Sequence, residues 1–223
     1  MVSRADICVT GKTTLAAKVV EKVNDLHAEE NPGLGKGIAT FLPMDGYHLT
    51  RAQLSAMPDP DTAHARRGAA FTFDAPAFLE LVKQLRKPLL PETKTIYAPS
   101  FDHAIKDPTP SDIPIAPTAR VVIFEGNYLS LGKGEWKEAA ELMDELWFVD
   151  VPKEVARERL IARHVVSGIA KDEADAAKRA DENDLVNGDD IIEAKLEVHE
   201  VVYSKEDGEW KPEKQGIDKE RDQ

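Results

Sequence analysis

The chain has 223 residues, 42% of them hydrophobic and 31% charged, enough apolar material for the core of one large or two small domains. A net charge of −12 gives an acidic exterior that repels phosphate backbones, so nucleic acid is not an expected partner, although a local basic pocket for a small anion stays open. The single cysteine, Cys8, rules out an internal disulfide, and the sequence has neither a signal-peptide pattern nor an apolar run of membrane-spanning length, so the expectation is a cytoplasmic protein with no membrane association.

Taken in chain order, Asp6 to Thr10 is a short apolar run that reads as a buried strand ended by Gly11. Leu15, Val19, Val23 and Leu26 then share one face of a helix over 15–26. The Gly and Pro content of 31–37 marks a loop, and 38–44 reads as a second strand. Asp74 as N-cap and Pro76 in the first turn start a helix over 75–85. Eight of the fourteen prolines lie in 76–117, whose latter part reads as long connections around a short strand at 93–97. Residues 119–125 (ARVVIFE) form the clearest buried strand, followed by a loop at Gly126 and Asn127. A helix over 135–143, a buried strand over 146–151 and helices over 153–166 and 171–181 complete the pattern. Twelve of the last twenty residues are charged, so 204–223 reads as a flexible tail behind one domain over 1–203. Strands that alternate with helices predict a parallel sheet covered on both faces, an α/β domain.

Between the first strand and the first helix stands Thr10-Gly11-Lys12-Thr13-Thr14. A phosphate loop needs a Gly-rich turn of backbone N–H groups, a Lys for the terminal phosphates and a Ser or Thr hydroxyl for Mg²⁺. Lys12 and Thr13 supply the last two. The same residues also read as an ordinary strand-to-helix turn, because no glycine precedes Gly11 to complete G-x-x-x-x-G-K-[ST]. With the strand placed at 6–10, the N–H nest comes out four or five residues short. A second glycine-rich stretch, Gly33-Leu34-Gly35-Lys36-Gly37, follows a helix and precedes a strand, the reverse of the order a phosphate loop requires.

Together with GKTT, four further segments resemble the phosphoribulokinase/uridine kinase group of P-loop kinases, and most of all its uridine-kinase-like members of fungal type. They are Pro43-Met44-Asp45-Gly46-Tyr47-His48-Leu49, Arg66 to Asp74 (RRGAAFTFD), Tyr97 to His103 (YAPSFDH) and Val122 to Leu129 (VIFEGNYL). The likeness continues through 144–187, across ARERLIARH and DENDLVN, and departs at the shortened phosphate loop. The resemblance implies a P-loop NTPase fold with a helical lid. It also implies transfer of the γ-phosphoryl of ATP to a hydroxyl of a nucleoside-, sugar- or vitamin-like acceptor, with ATP and Mg²⁺ as cofactors. The oligomeric state it leaves open, with a homodimer as one option.

The resemblance assigns roles as follows. Lys12 bridges the β- and γ-phosphates, Thr13 holds Mg²⁺, and Gly11 and Thr14 contribute backbone and hydroxyl contacts. Asp45 takes or orients the proton of the acceptor hydroxyl; it reads equally as the turn-forming partner of Gly46. Glu125 holds a water on Mg²⁺, or simply ends its strand in solvent. Arg159 and Arg163, four apart on one helix face, neutralise the transferred phosphoryl or pair with nearby acids. Tyr47, His48, Arg66, Arg67, Tyr97 and His103 line the acceptor site, and Asn183 and Asn187 approach the nucleotide base, with packing and capping as their ordinary alternatives. Two other functions remain. One is a fold-retaining chain that binds or regulates without turnover, because of its incomplete loop. The other, a switch-type NTPase, lacks the guanine-reading N-K-x-D pattern.

Overall fold

The run VVIFEG forms strand β5 (Val121–Gly126), and Val122, Ile123 and Phe124 are all buried, as a strand covered on both faces requires. The computed structural model describes residues 2–6, 12–34, 37–102 and 104–205. Before β5 in the chain come β1 (Val2–Asp6), α1 (Lys12–Glu30) and β2 (Ala39–Pro43); after it come α5 (Gly134–Glu141), β6 (Glu145–Asp150), α6 (Lys153–Val166) and β7 (Glu200–Tyr203). The strands form one sheet in the order β2-β5-β1-β6-β7, and every pairing in it is parallel. Register brings the strand exits to one edge: Pro43 lies opposite Glu125, Ala5 opposite Gly126, Asp6 opposite Val149 and Asp150 opposite Tyr203. In open parallel sheets ligands bind outside this carboxyl edge.

The expected strand at 6–10 is corrected by this register. The central strand is Val2–Asp6, and residues 7–11, including Cys8 and Gly11, lie outside the described residues. Backbone ladders to β5 on one side and β6 on the other decide its place, and they override the weak strand preference of the sequence VSRAD.

Helix α4 (Ala75–Leu85) starts where Asp74 and Pro76 place it: the Asp74 carboxylate accepts the Ala77 N–H. Its buried face carries Phe78, which meets Tyr47, Phe124 and Trp136 at ring-centroid distances of 5.2, 5.4 and 5.4 Å. This aromatic knot is the centre of the core on that side of the sheet.

Two short helices, α2 (Arg51–Ser55) and α3 (Pro60–Ala65), were not expected from periodicity, since five and six residues carry too little of it. Their caps are explicit all the same: Thr50 and Gln53 close a capping box, and Asp59 accepts from Thr62 ahead of Pro60. The supposed connections after α4 hold a hairpin, β3 (Ile96–Asp102) and β4 (Asp107–Ile115). Three prolines in DPTPSDIPI hide β4 in the sequence; a strand with only one partner tolerates them. The predicted helix over 171–181 is α7 (Glu173–Arg179), continued by a π-helical turn at Ala180–Asp184 and then by α8 (Leu185–Ala194). Ser204, assigned to the tail by composition, extends β7: its N–H donates to the Asp150 carbonyl. No helix among the described residues is long and apolar enough to cross a membrane.

Candidate active site

The first residue of α1 is Lys12, which is 92% buried, and lysines are rarely so buried without partners. Its ammonium donates to Asn127 Oδ1 and lies 3.7 Å from Glu125 Oε1. On the next residue, Thr13 Oγ1 donates to Glu125 Oε2 at 3.3 Å. An ammonium, a hydroxyl, a carboxylate and an amide oxygen thus converge where α1 begins beside the exit of β5. Thr14 is also buried there. Of the expected cofactor-binding residues, Gly11 lies outside the described residues.

The exit of β2 is locked against that group by two close approaches. A Cβ on Gly126 would sit 2.3 Å from Met44 Cβ, and one on Gly46 would sit 2.1 Å from the Pro99 carbonyl oxygen. Only glycine lets the 3-10 turn Met44–Tyr47 wedge between β5 and β3. Asp45 sits on this turn with its side chain half exposed, 3.9 Å from His48 Nδ1. His48 is held in turn: its Nδ1 contacts the Asp45 carbonyl at 2.9 Å, and its ring lies between Phe73 (4.0 Å) and Phe101 (4.9 Å).

Tyr47 is corrected. It was expected to line the acceptor site, but it is 94% buried, edge-on to Phe78. Burial, and secondarily the Asp74 carboxylate, pushes its phenol well above its ordinary value, as for a hydroxyl enclosed in the core.

A second group forms around the Arg66–Arg67 loop. Arg67 donates to the carbonyls of Lys106 and Leu49 and to Asp107 Oδ1 at 3.1 Å, and its guanidinium lies 5.6 Å from the centre of the Phe101 ring. Burial works to raise the Asp107 carboxyl, but the Arg51 amide and the Arg67 guanidinium outweigh it and hold the group below its usual value. Arg66 donates to Asn187 Oδ1 at 2.6 Å, Asn183 donates to the Arg67 carbonyl at 3.2 Å, and Arg179 reaches the same carbonyl at 3.4 Å. Asn183 and Asn187, expected beside the nucleotide base, are buried and bonded to the loop that carries Arg66 and Arg67. Tyr97 is exposed on β3, and His103 lies outside the described residues.

The two groups share a wall. Tyr128, next to Asn127, donates its hydroxyl to the Gly68 carbonyl at 2.6 Å and so ties the arginine loop to the exit of β5. Arg159 is elsewhere: it donates to Ser204 Oγ at the end of β7. Arg163 lies one turn further along α6, half-buried, with its carbonyl accepting from the Ser167 amide. Sequence reasoning did not single out Asn127, Tyr128 or Arg179. The first two stand in the quoted VIFEGNYL segment, whereas nothing about Arg179 distinguishes it from its charged neighbours.

Five residues, 7–11, connect the last residue of β1 to Lys12. Set against G-x-x-x-x-G-K-[ST], the stretch Asp6 to Thr13 keeps the full spacing, with Asp6 where the first glycine would stand. The shortfall of four or five residues expected from a strand at 6–10 therefore reduces to one substituted position.

Comparison with known proteins finds similar sequences and the same fold among kinases. The chain is 55% identical to the ATP-dependent kinase-like protein notR' of Aspergillus versicolor over 168 residues, which are 75% of the chain and 95% of that protein. It is 41% identical to a candidate uridine kinase of Schizosaccharomyces pombe, over 80% of the chain and 72% of that protein. Among solved structures, YFH7 of Saccharomyces cerevisiae, described as a candidate P-loop kinase with a circular permutation, superimposes with a TM-score of 0.78 at 25% identity over 92% of each chain. No protein-family model matches the chain.

Proposed function

The chain belongs to the uridine-kinase-like P-loop kinases, and on that footing we propose that it transfers the γ-phosphoryl group of ATP to a hydroxyl of a small acceptor. The observation that carries this reading is the convergence of Lys12, Thr13, Glu125 and Asn127 at the carboxyl edge of the sheet. Phosphoryl transfer is mainly positioning and charge neutralisation, so a site for it needs a fixed cation, ligands for a magnesium ion and a base near the acceptor.

The residues present fit Mg-ATP. Lys12, held by Glu125 and Asn127, is the residue that would hold the β- and γ-phosphates. The Thr13 hydroxyl and the Glu125 carboxylate, 3.3 Å apart, are hard oxygen groups of the kind magnesium takes and would hold it here. When bound, the ion supplies charge neutralisation on the phosphates. Asp45, beyond the exit of β2, accepts the acceptor hydroxyl's proton, and His48 and the Phe73–Phe101 pair fix the turn on which it sits. Arg66 and Arg67 orient the acceptor from the other side. Arg159 is bonded to Ser204 and would have to leave that partner to approach the transferred group.

A second reading, a chain that binds ligands without turnover, is favoured by one observation: no glycine precedes Gly11, and a carboxylate residue, Asp6, stands at the first position of the loop pattern. One experiment separates the two. ADP formation is followed across a panel of small hydroxyl compounds, for the native chain and for Lys12→Ala and Asp45→Asn. Turnover lost in both variants supports the kinase; silence across the panel from a folded, Mg-ATP-binding chain supports the second reading and overturns the first.

A further inference from the structure

Three arginines meet at the acceptor side with one carboxylate among them. Arg66 and Arg67 leave one short loop to bond Asn187 on α8 and Asp107 on β4, and Arg179 donates to the backbone carbonyl of Arg67 in that loop. Asp107 pairs with Arg67; among the described residues neither Arg66 nor Arg179 has a carboxylate within 4.0 Å. The Nε atoms of all three are buried without a hydrogen-bond partner. Each guanidinium carries five donors, and Arg66 and Arg179 each have one side-chain hydrogen bond. Leaving buried donors and uncompensated charge is costly, and native structures keep such a group where a ligand completes it. This positive cluster sits in a chain of net charge −12, so it is a local feature of the site and not a consequence of composition.

The cluster is placed to act on the acceptor. Arg67 and His48 contact the same ring, Phe101, and His48 adjoins Asp45, the expected base. The Tyr128–Gly68 bond links the cluster to the Lys12 group, which would supply the nucleotide phosphates with a cation of their own. We propose that the acceptor carries an oxyanionic group, a phosphate monoester or a carboxylate, which Arg66, Arg67 and Arg179 hold while its hydroxyl faces Asp45. Guanidinium forks match the planar, paired oxygens of either group. The proposal rests on the kinase reading for the place of the hydroxyl, but its binding half stands without turnover.

The test is calorimetric binding of matched compounds to the full chain, in saturating Mg-ATP and without nucleotide. The pairs are ribose with ribose 5-phosphate, and glycerol with glycerate, so the two arms separate phosphate from carboxylate. The expected result is that at least one anionic member binds at least tenfold more tightly than its neutral partner. That preference falls by tenfold or more in Arg66→Gln and in Arg179→Gln and survives in Lys12→Ala. Anionic members that bind no better than neutral ones overturn the proposal, whether or not a neutral compound is phosphorylated. So does a preference unchanged in both arginine variants, or one lost only in Lys12→Ala, which would place the anion at the phosphate loop. If the preference follows the arginines while no compound is turned over, the anion site stands and the kinase reading fails. The native-chain comparison decides the matter even if an arginine variant does not fold.

Discussion

At the phosphate end of the site, Lys12, Thr13, Glu125 and Asn127 come from one strand exit and the helix start beside it, and their polar atoms satisfy one another. At the proposed acceptor end, Arg66 and Arg67 come from a loop, and Arg179, Asn183 and Asn187 from the end of α7, the π-helical turn and α8 more than a hundred residues away, and donors are left over. The first arrangement is a self-neutralised group that must exchange partners when a nucleotide arrives. The second keeps unpaired donors that the proposed anion would complete. The contrast teaches that chemistry common to phosphotransfer is set on the rigid sheet edge, whereas selection of the acceptor is set on connections that can differ between relatives.

The sharpest way to break this division is at Asp45, which stands between the two ends. Asp45→Asn removes the expected base and leaves the Lys12 group untouched, so kcat should fall by about 10²–10⁴ with Mg-ATP affinity unchanged. Parallel steady-state kinetics and calorimetry check this; a matching loss of nucleotide affinity would merge the two ends into one.

Next in size is the buried pair that shapes the acceptor end. His164 on α6 is 98% buried, and its Nε2 lies 2.9 Å from Asp184 Oδ2 at the end of the π-helical turn that also presents Asn183. His164→Leu leaves the Asp184 carboxylate buried without its partner and should cost about 3 kcal/mol of stability in denaturant titration. If the division holds, the surviving folded fraction binds Mg-ATP normally.

The turn between the two ends is sensitive to a single methyl group. With only 2.1 Å available to the Pro99 carbonyl, Gly46→Ala should cost about 1–3 kcal/mol and displace Asp45, lowering both the melting temperature and turnover. An unchanged melting temperature would mean that the turn is not wedged against β3.

These elements were unequally legible. Lys12 and Thr13 were readable because a phosphate-binding chemistry needs a local pattern, and α4 because Asp74 and Pro76 mark its start. Strand β5 was plain as an apolar run. By contrast β1 is defined by pairing with Ile123 and Trp147 across more than a hundred residues, which VSRAD does not announce. Three prolines mask β4, and α8 was missed behind the π-helical turn. Tyr47 looked like a ligand-facing residue beside His48, yet a turn reverses side-chain direction within one residue and sends it into the core. The arginine cradle was half visible: Arg66 and Arg67 stood out as a pair, but only the fold brings Arg179 to them.

The smallest expected effect separates Tyr47 from the site altogether. Tyr47→Phe should leave acceptor affinity unchanged and alter stability near neutrality by less than about 1 kcal/mol. Because burial raises its phenol above the ordinary 10.0, the neutral form is favoured in the folded chain; that contribution is fully present below pH 10.0 and is lost as pH rises beyond it, when the unfolded chain ionises first. Denaturation followed between pH 9 and 11 should show a decline in the native chain that Tyr47→Phe makes shallower, and a shift in acceptor affinity would return Tyr47 to the site.

The central claim is that the Lys12 group is a nucleotide site despite Asp6 at the first position of its loop pattern. A Mg-ATP titration of the folded chain by calorimetry, with Lys12→Ala as control, tests it most directly. The account predicts saturable binding in the micromolar range that Lys12→Ala abolishes. Absence of binding to a chain shown to be folded, or binding that Lys12→Ala leaves intact, would contradict it.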